Sequence, residues 1–353
     1  MPEISIRGLE MPESPIRKLA PLAAAAKARG TKVYHLNIGQ PDLPTPQCGL
    51  DALKNVHRQV LEYSPSQGYL SYRQKLTEYY HKYDIEVTAD DIIITSGGSE
   101  AVLFAFMSTL NPGDEIIIPE PAYANYMAFA VSAGATIRTI ATTIEEGFAL
   151  PRVERFEELI NERTRAILIC NPNNPTGYLY TRREMHQIRD LVKKYDLYLF
   201  SDEVYREYIY TGSPYISAMH LEGIEQNTIL IDSVSKRYSE CGIRIGALVT
   251  KNAEVRRAVM KFCQARLSPP LIGQIVAEAC THQYAQEDIE KERVKLLVAI
   301  FVLLVEPLHE QVGQYKARQP AQGVPAHGER AKVDGYLRGL PIDVEQIHHG
   351  VGN

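Results

Sequence analysis

An α/β fold built on a mostly parallel central sheet is predicted for this chain of 353 residues, and three observations carry the prediction. Between about residues 90 and 250, short runs rich in Ile, Leu and Val alternate with longer amphipathic stretches, the order expected of strand–helix units. Most of the runs lack polar/apolar alternation, as strands covered on both faces do. Most are followed by polar or glycine-bearing text, and in open α/β sheets ligands sit outside the carboxyl ends of the strands.

The predicted strands are residues 92–95, 115–119, 166–170, 197–201, 228–232 and 246–250. Helical spacing of apolar positions marks residues 182–195, and a helix is expected over about 71–83. Ahead of it, Pro41, Pro44 and Pro46 place an extended loop, and residues 63–69 (YSPSQGY) read as another. After residue 250 a long helical stretch follows. Beyond about residue 311 the text turns rich in Gly, Pro, Gln and His, with weak periodicity in any register.

Composition narrows the function. Hydrophobic residues make up 45% and charged residues 23%, and the net charge of −5 is spread without like-charge blocks. A general nucleic-acid or anionic-membrane binder carries a basic face, so neither partner is expected. Five dispersed cysteines without CxxC spacing suit reduced thiols and no metal site. The longest strongly apolar run, residues 296–305, is far short of the about 20 residues of a spanning helix, and the N-terminus lacks a signal-like apolar core. A soluble, cytoplasmic protein of about two domains is expected.

The polar text after each run can be read two ways. Gly97-Gly98-Ser99 at a helix start offers free amides and a hydroxyl to a phosphate, or is an ordinary turn. Neither GxxxxGK[ST] nor GxGxxG occurs. Asp202, ending a buried strand, is an anionic partner for a cation or a helix cap. Tyr123 is a core ring or one that stacks on a flat ligand. Lys236 is a surface charge, or an amine suited to condense with an aldehyde, its pKa lowered by partial burial and by Arg237 and Arg244.

Taken together, Asn174-Pro175-Thr176-Gly177, Asp202-x-x-Tyr205 and Ser233-x-Ser235-Lys236 with Arg244 eight residues on resemble the class I/II aminotransferases. These are pyridoxal-phosphate enzymes of fold type I, of the aspartate aminotransferase kind. Matching text covers about residues 14–280. The resemblance implies that Lys236 bonds the cofactor aldehyde and shuttles the substrate proton, and that Asp202 pairs with the pyridine nitrogen. Tyr205 and Asn174 would hydrogen-bond the ring's phenolic oxygen, and Tyr123 would stack on its face. Gly98, Ser99 and Glu100, with Ser233, Ser235 and Arg244, would hold the phosphate. Gly39 resembles the backbone contact to the substrate carboxylate. Tyr63 resembles the tyrosine that reaches the neighbouring subunit's phosphate, which implies a homodimer.

The implied reaction moves an amino group by a ping-pong cycle from an L-amino acid, aspartate or glutamate favoured, to a 2-oxo acid. The implied domains are an N-terminal arm and small-domain segment (1–45), a large cofactor domain (46–255) and a C-terminal small-domain segment (256–353). Near residue 290 the text departs from the family, and the position of its carboxylate-binding arginine falls beyond Asn353. Arg318, Arg330 and Arg338 lie in unmatched text and take no role. An altered or truncated C-terminus is expected, with cofactor binding surviving better than turnover. Two other activities compete: a carbon–sulfur β-lyase on the same fold and, from Ser233-x-x-Lys236, a serine acylase, though KTG and SDN are missing.

Overall fold

The apolar runs form strands of one sheet, β1 (Ile92–Thr95), β2 (Glu115–Glu120), β3 (Thr136–Ala141), β4 (Thr164–Cys170), β5 (Tyr198–Asp202), β6 (Thr228–Ser233) and β7 (Gly246–Val249). The computed structural model describes residues 2–14, 16–35, 39–41 and 43–281. All of these except Tyr210–Gly212 belong to one compact unit. The departure near residue 290, the apolar run 296–305 and the tail lie outside the described residues, as does Asn37 beside Gly39.

The sheet order is β1-β7-β6-β5-β4-β2-β3. Neighbours are parallel except that β7 runs antiparallel to both β6 and β1. The other six strands therefore point one way. β3 was not expected from the sequence: as an edge strand it pairs only with β2 and exposes Thr136, Arg138, Thr139 and Ala141, so its apolar signal is thin.

Alternate residues of each inner strand enter different cores. Ile93, Ile116, Leu168, Phe200, Ile231 and Leu248 pack on one face, and Ile92, Ile94, Ile117, Ile167, Leu199 and Leu230 on the other. Both faces are dry, which is why the runs do not alternate. Helices α1 (Ile6–Glu10), α2 (Ala20–Ala28) and α3 (Gln47–Lys54) precede the sheet, and α4 (Leu70–His81) leads into it. Then come α5 (Gly98–Thr109), α6 (Asn125–Ala133), α7 (Val153–Glu157), α8 (Arg182–Tyr195) and α9 (Val234–Arg237), with α10 (Ala253–Arg266) and α11 (Leu271–Cys280) last. All five cysteines are free thiols.

The sequence of α8 specifies its start, inner face and end. A Thr181/Glu184 capping box opens it, Met185, Ile188, Leu191 and Val192 are buried, and Asp196 closes it in the left-handed region. Each of those four apolar side chains contributes about 1.5–3 kcal/mol by burial.

Two glycines hold the sheet edge and α5 together. Gly97 sits at φ +80 as the cap of α5, and a Cβ there would lie 2.5 Å from the Arg244 guanidinium. Gly246 on β7 faces the same turn, where a Cβ would meet the Gly97 and Gly98 backbone at 2.5 and 2.6 Å. Backbone cannot step aside as a flexible side chain can. Gly246→Ala is expected to lower the thermal unfolding midpoint by roughly 5–10 °C, the size of a 2–3 kcal/mol overpacking penalty. Gly242→Ala, whose added methyl meets nothing within 4 Å, should leave it unchanged. Equal midpoints for the two variants would contradict the close contact.

Candidate active site

At the edge to which the six parallel strands point, residues after four of them, β2, β4, β5 and β6, line a cavity of about 1230 Å³. Its walls include Gly39, Tyr123, Asn174, Tyr205 and Lys236. A smaller pocket of about 70 Å³ continues from it past Gly98, Ser99, Tyr123, Asn174, Asp202 and Tyr205. The predicted residues from five separate strand ends and the N-terminal loop thus line the two pockets.

Lys236 stands on α9, directly after β6, and its Nζ donates to the Gly39 carbonyl oxygen (2.5 Å). Asp202 ends β5 and is almost fully buried. Its Oδ2 accepts from the Tyr126 hydroxyl (2.6 Å) and its Oδ1 from the Val204 amide (3.4 Å). Burial pushes its carboxyl up to about 6 against the pull of those two donors, and Asp232 and Glu203 add to the rise. Among the described residues it has no ion pair. Asn174 Nδ2 donates to the Tyr205 hydroxyl (3.4 Å), and burial raises the phenol of Tyr205. Tyr123 stands edge-on to Tyr126, ring centres 5.3 Å apart.

At the other end of the pocket, α5 begins without a side-chain cap, leaving its first-turn amides to an anion. Arg244, held in the left-handed region, lays its guanidinium over Gly97 and donates to the Ser96 carbonyl (3.4 Å). Glu100 is occupied by its side chain: the carboxylate accepts from the Ser96 amide (2.8 Å) and from Arg266 (2.7 Å).

Two residues, Arg237 and Ser233, are placed otherwise than the sequence suggested. Arg237 does not act as a cationic neighbour of the lysine amine, because its guanidinium turns into the core, 2.8 Å from Asp232. Ser233 is buried as the cap of α9: its Oγ accepts from the Ser235 amide (3.1 Å) and lies within donating distance of Ser235 Oγ (2.8 Å) and the Ile245 carbonyl (3.0 Å). Tyr63 is 76% exposed and lines neither pocket.

Sequence reasoning missed Tyr126 and Arg17. Tyr126 lies one helical turn beyond Tyr123, a spacing that could have disclosed it. Arg17 comes from the N-terminal segment and lines the large cavity; burial raises the Tyr123 phenol, and the charge of Arg17 is a minor pull against that rise. No strand precedes it, so no strand-end signal marked it.

A mostly parallel α/β sheet with a lysine, an aspartate and a helix N-terminus gathered at its carboxyl edge is the arrangement that the resemblance to fold type I pyridoxal-phosphate enzymes implies. The family profile for aminotransferase class I and II matches residues 31–319. A putative aminotransferase, YugH, of Bacillus subtilis is 32% identical over 282 residues, covering 79% of this chain and 71% of that protein. The aspartate aminotransferase of Thermotoga maritima is 33% identical over 255 residues, or 71% and 67% of the two chains. Its crystal structure superposes with a TM-score of 0.77 at 29% identity, covering 84% of this chain and 80% of that one. Thermus thermophilus aspartate aminotransferase with maleate gives 0.76 at 28% identity, covering 86% and 81%. The chain belongs to the class I and II aminotransferases and is an enzyme of that family.

The family depends on pyridoxal 5′-phosphate, and the residues present fit it. A buried carboxylate without a cationic partner among the described residues suits a pyridinium. The uncapped first turn of α5, with a guanidinium over a glycine that leaves room for it, suits a phosphate. For the serine acylase alternative the geometry is wrong, since Ser233 Oγ is spent on its own turn while Lys236 Nζ reaches Gly39.

The raised Asp202 has a consequence for stability. An acid whose folded pKa exceeds its unfolded value near 3.8 stabilises the fold below that value, and the benefit is lost as pH rises through about 6. Asp202→Asn removes the ionised form at every pH. The cofactor-free variant is therefore expected to exceed the parent in stability at pH 8 by up to about 3 kcal/mol, with the gap closing towards pH 4. Denaturant melts across this range check it, and a pH-independent gap would contradict the burial cost.

Proposed function

We propose that the chain moves the amino group of an acidic L-amino acid, aspartate or glutamate, to a 2-oxo acid, with the cofactor held by the cavity at the sheet's carboxyl edge. The observation that carries this is the reach of Lys236 Nζ across the cavity to Gly39, within the same walls as Tyr205 and Asn174 and beside the pocket of Asp202.

Bound there, pyridoxal phosphate supplies an electron sink for the substrate's α-carbon and a carrier for its nitrogen. Asp202 holds the ring nitrogen's proton by charge, which returns the carboxylate to its ionised form. Asn174 and Tyr205 would hydrogen-bond the phenolic oxygen, and Tyr123 would stack on the ring. Ser99, Ser235, Arg244 and the amides of Gly98 and Glu100 hold the phosphate, with Ser233 supporting them as the cap of α9. Lys236 would hold the cofactor through its aldehyde, and once the substrate amine has taken its place its free amine would take and return the proton at the substrate α-carbon. The Gly39 backbone orients the substrate carboxylate. The cycle is ping-pong: the donor leaves as its 2-oxo acid before the acceptor enters.

Arg17 supports an acidic substrate, because it brings a guanidinium to the cavity wall where a carboxylate side chain can be met. The maleate, a dicarboxylate, in the Thermus thermophilus structure and the aspartate aminotransferases among the relatives point the same way. The exposed Tyr63 is free to serve a partner's site, which supports a homodimer. The division into a large domain (46–255) and flanking small-domain segments stays an expectation: the described residues on both sides of those bounds, apart from Tyr210–Gly212, belong to one compact unit, and residues 282–353 lie outside the described residues. No helix among the described residues is long and apolar enough to cross a membrane.

A panel of donors with 2-oxoglutarate or oxaloacetate as acceptor tests the substrate. Aspartate and glutamate should outpace alanine and phenylalanine, and Arg17→Gln should raise KM for the acidic donors by about tenfold, the worth of one charge-assisted hydrogen bond, and leave alanine unaffected. Preference for alanine in the parent would sink the acidic reading. Release of pyruvate and thiol from a cysteine conjugate, without new amino acid, would establish the β-lyase instead.

A further inference from the structure

Beneath Lys236 the core holds five charged side chains. Arg206 pairs with Glu203 at 3.0 Å and with Asp232 at 3.8 Å, and Arg237 pairs with Asp232 at 2.8 Å and Glu207 at 3.4 Å. Each of these side chains is 3% exposed or less. Burying such pairs is costly, and well-packed apolar residues usually do as well or better for stability. Stability alone is thus a poor reason for this cluster, and its geometry offers another.

Asp232 grips both ends of the turn that carries the lysine. Its Oδ1 accepts from the amide of Ser233, the cap of α9, at 2.8 Å. Its Oδ2 accepts from Arg237, the last residue of α9, at 2.8 Å, and from the Tyr80 hydroxyl at 2.8 Å. A helix of four residues cannot hold its own shape, because nucleation costs more than so few bonds return. A third hold acts on the lysine itself: the Tyr208 hydroxyl donates to the Lys236 carbonyl at 2.5 Å. Burial opposes the charge of Asp232, yet Arg237 and then Arg206 keep its carboxyl below the ordinary value. The grip is therefore ionic at working pH. With the backbone clamped on both sides, the direction in which the lysine side chain leaves α9 is fixed.

We propose that Asp232 and Arg237 are positioning residues, forming with Tyr208 a buried clasp that fixes the α9 backbone and so aims the Lys236 amine into the cavity. The proposal rests on the reading of Lys236 as the cofactor-bearing lysine. It differs from a stability role in what it affects: the amine's aim matters to the chemical step far more than to substrate capture.

The test compares the cofactor-loaded parent with Arg237→Gln, Arg237→Lys and Tyr208→Phe. Three quantities are read: thermal midpoint, the pH midpoint of the bound cofactor's visible absorbance, and kcat against KM at a temperature well below each midpoint. Arg237→Gln should cut kcat by about tenfold or more, as a displacement of an ångström or less can, with KM little changed and the absorbance midpoint moved. Arg237→Lys, which can still reach Asp232, should recover most of both. Tyr208→Phe should shift them the same way by less. Variants that melt earlier but keep the parent's kcat and absorbance midpoint would overturn the clasp. If Arg237→Gln does not fold, Tyr208→Phe alone decides, and parent-like values for it overturn the proposal. A parent that takes up no cofactor on Lys236 would overturn the underlying reading and the clasp with it, an outcome separate from unchanged variants of a loaded parent.

Discussion

A strand buried on both faces can carry no polar chemistry until it ends. Ile92–Ile94, Ile116–Ile118 and Ala166–Ile169 are apolar at every position because each successive side chain enters one core or the other. Polar groups are therefore driven to the strand ends, and six strands pointing one way deliver theirs to one edge. The cavity, the lysine and the helix N-terminus all follow from that constraint. β7 runs against the others, and its own role fits its direction: it brings Gly246 against the Gly97 turn, so the start of α5 is pressed into place from the sheet.

Within this frame two buried aspartates, on adjacent strands, behave oppositely. Asp202 has only a phenol and an amide for partners, and burial lifts its pKa to about 6. Asp232 has two guanidinium groups and a phenol, and stays below the ordinary value. One carboxylate is electrostatically unfinished within the chain and faces the pocket. The other is complete and faces the core. The contrast separates a group suited to bind a cation from a group that holds backbone in place, a distinction that residue type alone does not make.

The strands of the inner sheet were readable from composition because dryness on both faces is a local signal. The α8 boundaries were readable too, from a capping box and helical spacing. β3 was not, since an edge strand with exposed Thr136, Arg138 and Thr139 resembles loop text. The direction of β7 was not either, because pairing is a long-range choice that apolar content does not encode. In the site, Lys236, Asp202, Tyr205 and Asn174 stood out because they follow strands at recognisable spacing. Arg17 follows none, and its place on the wall depends on how the N-terminal segment folds back. Arg237 looked like a companion of Lys236 from adjacency in the chain. Its actual neighbours, Asp232 and Glu207, are set by the turn of α9 and by packing against Tyr79 (guanidinium 4.1 Å from the ring centre).

The role proposed for Lys236 comes down to one bond, which its amine would form with the cofactor aldehyde. Borohydride reduction of the chain saturated with pyridoxal phosphate, followed by peptide mass mapping, tests it directly. The expected result is a single modified peptide, carrying the reduced cofactor on Lys236. Modification scattered over surface lysines, with Lys236 untouched, would contradict the assignment.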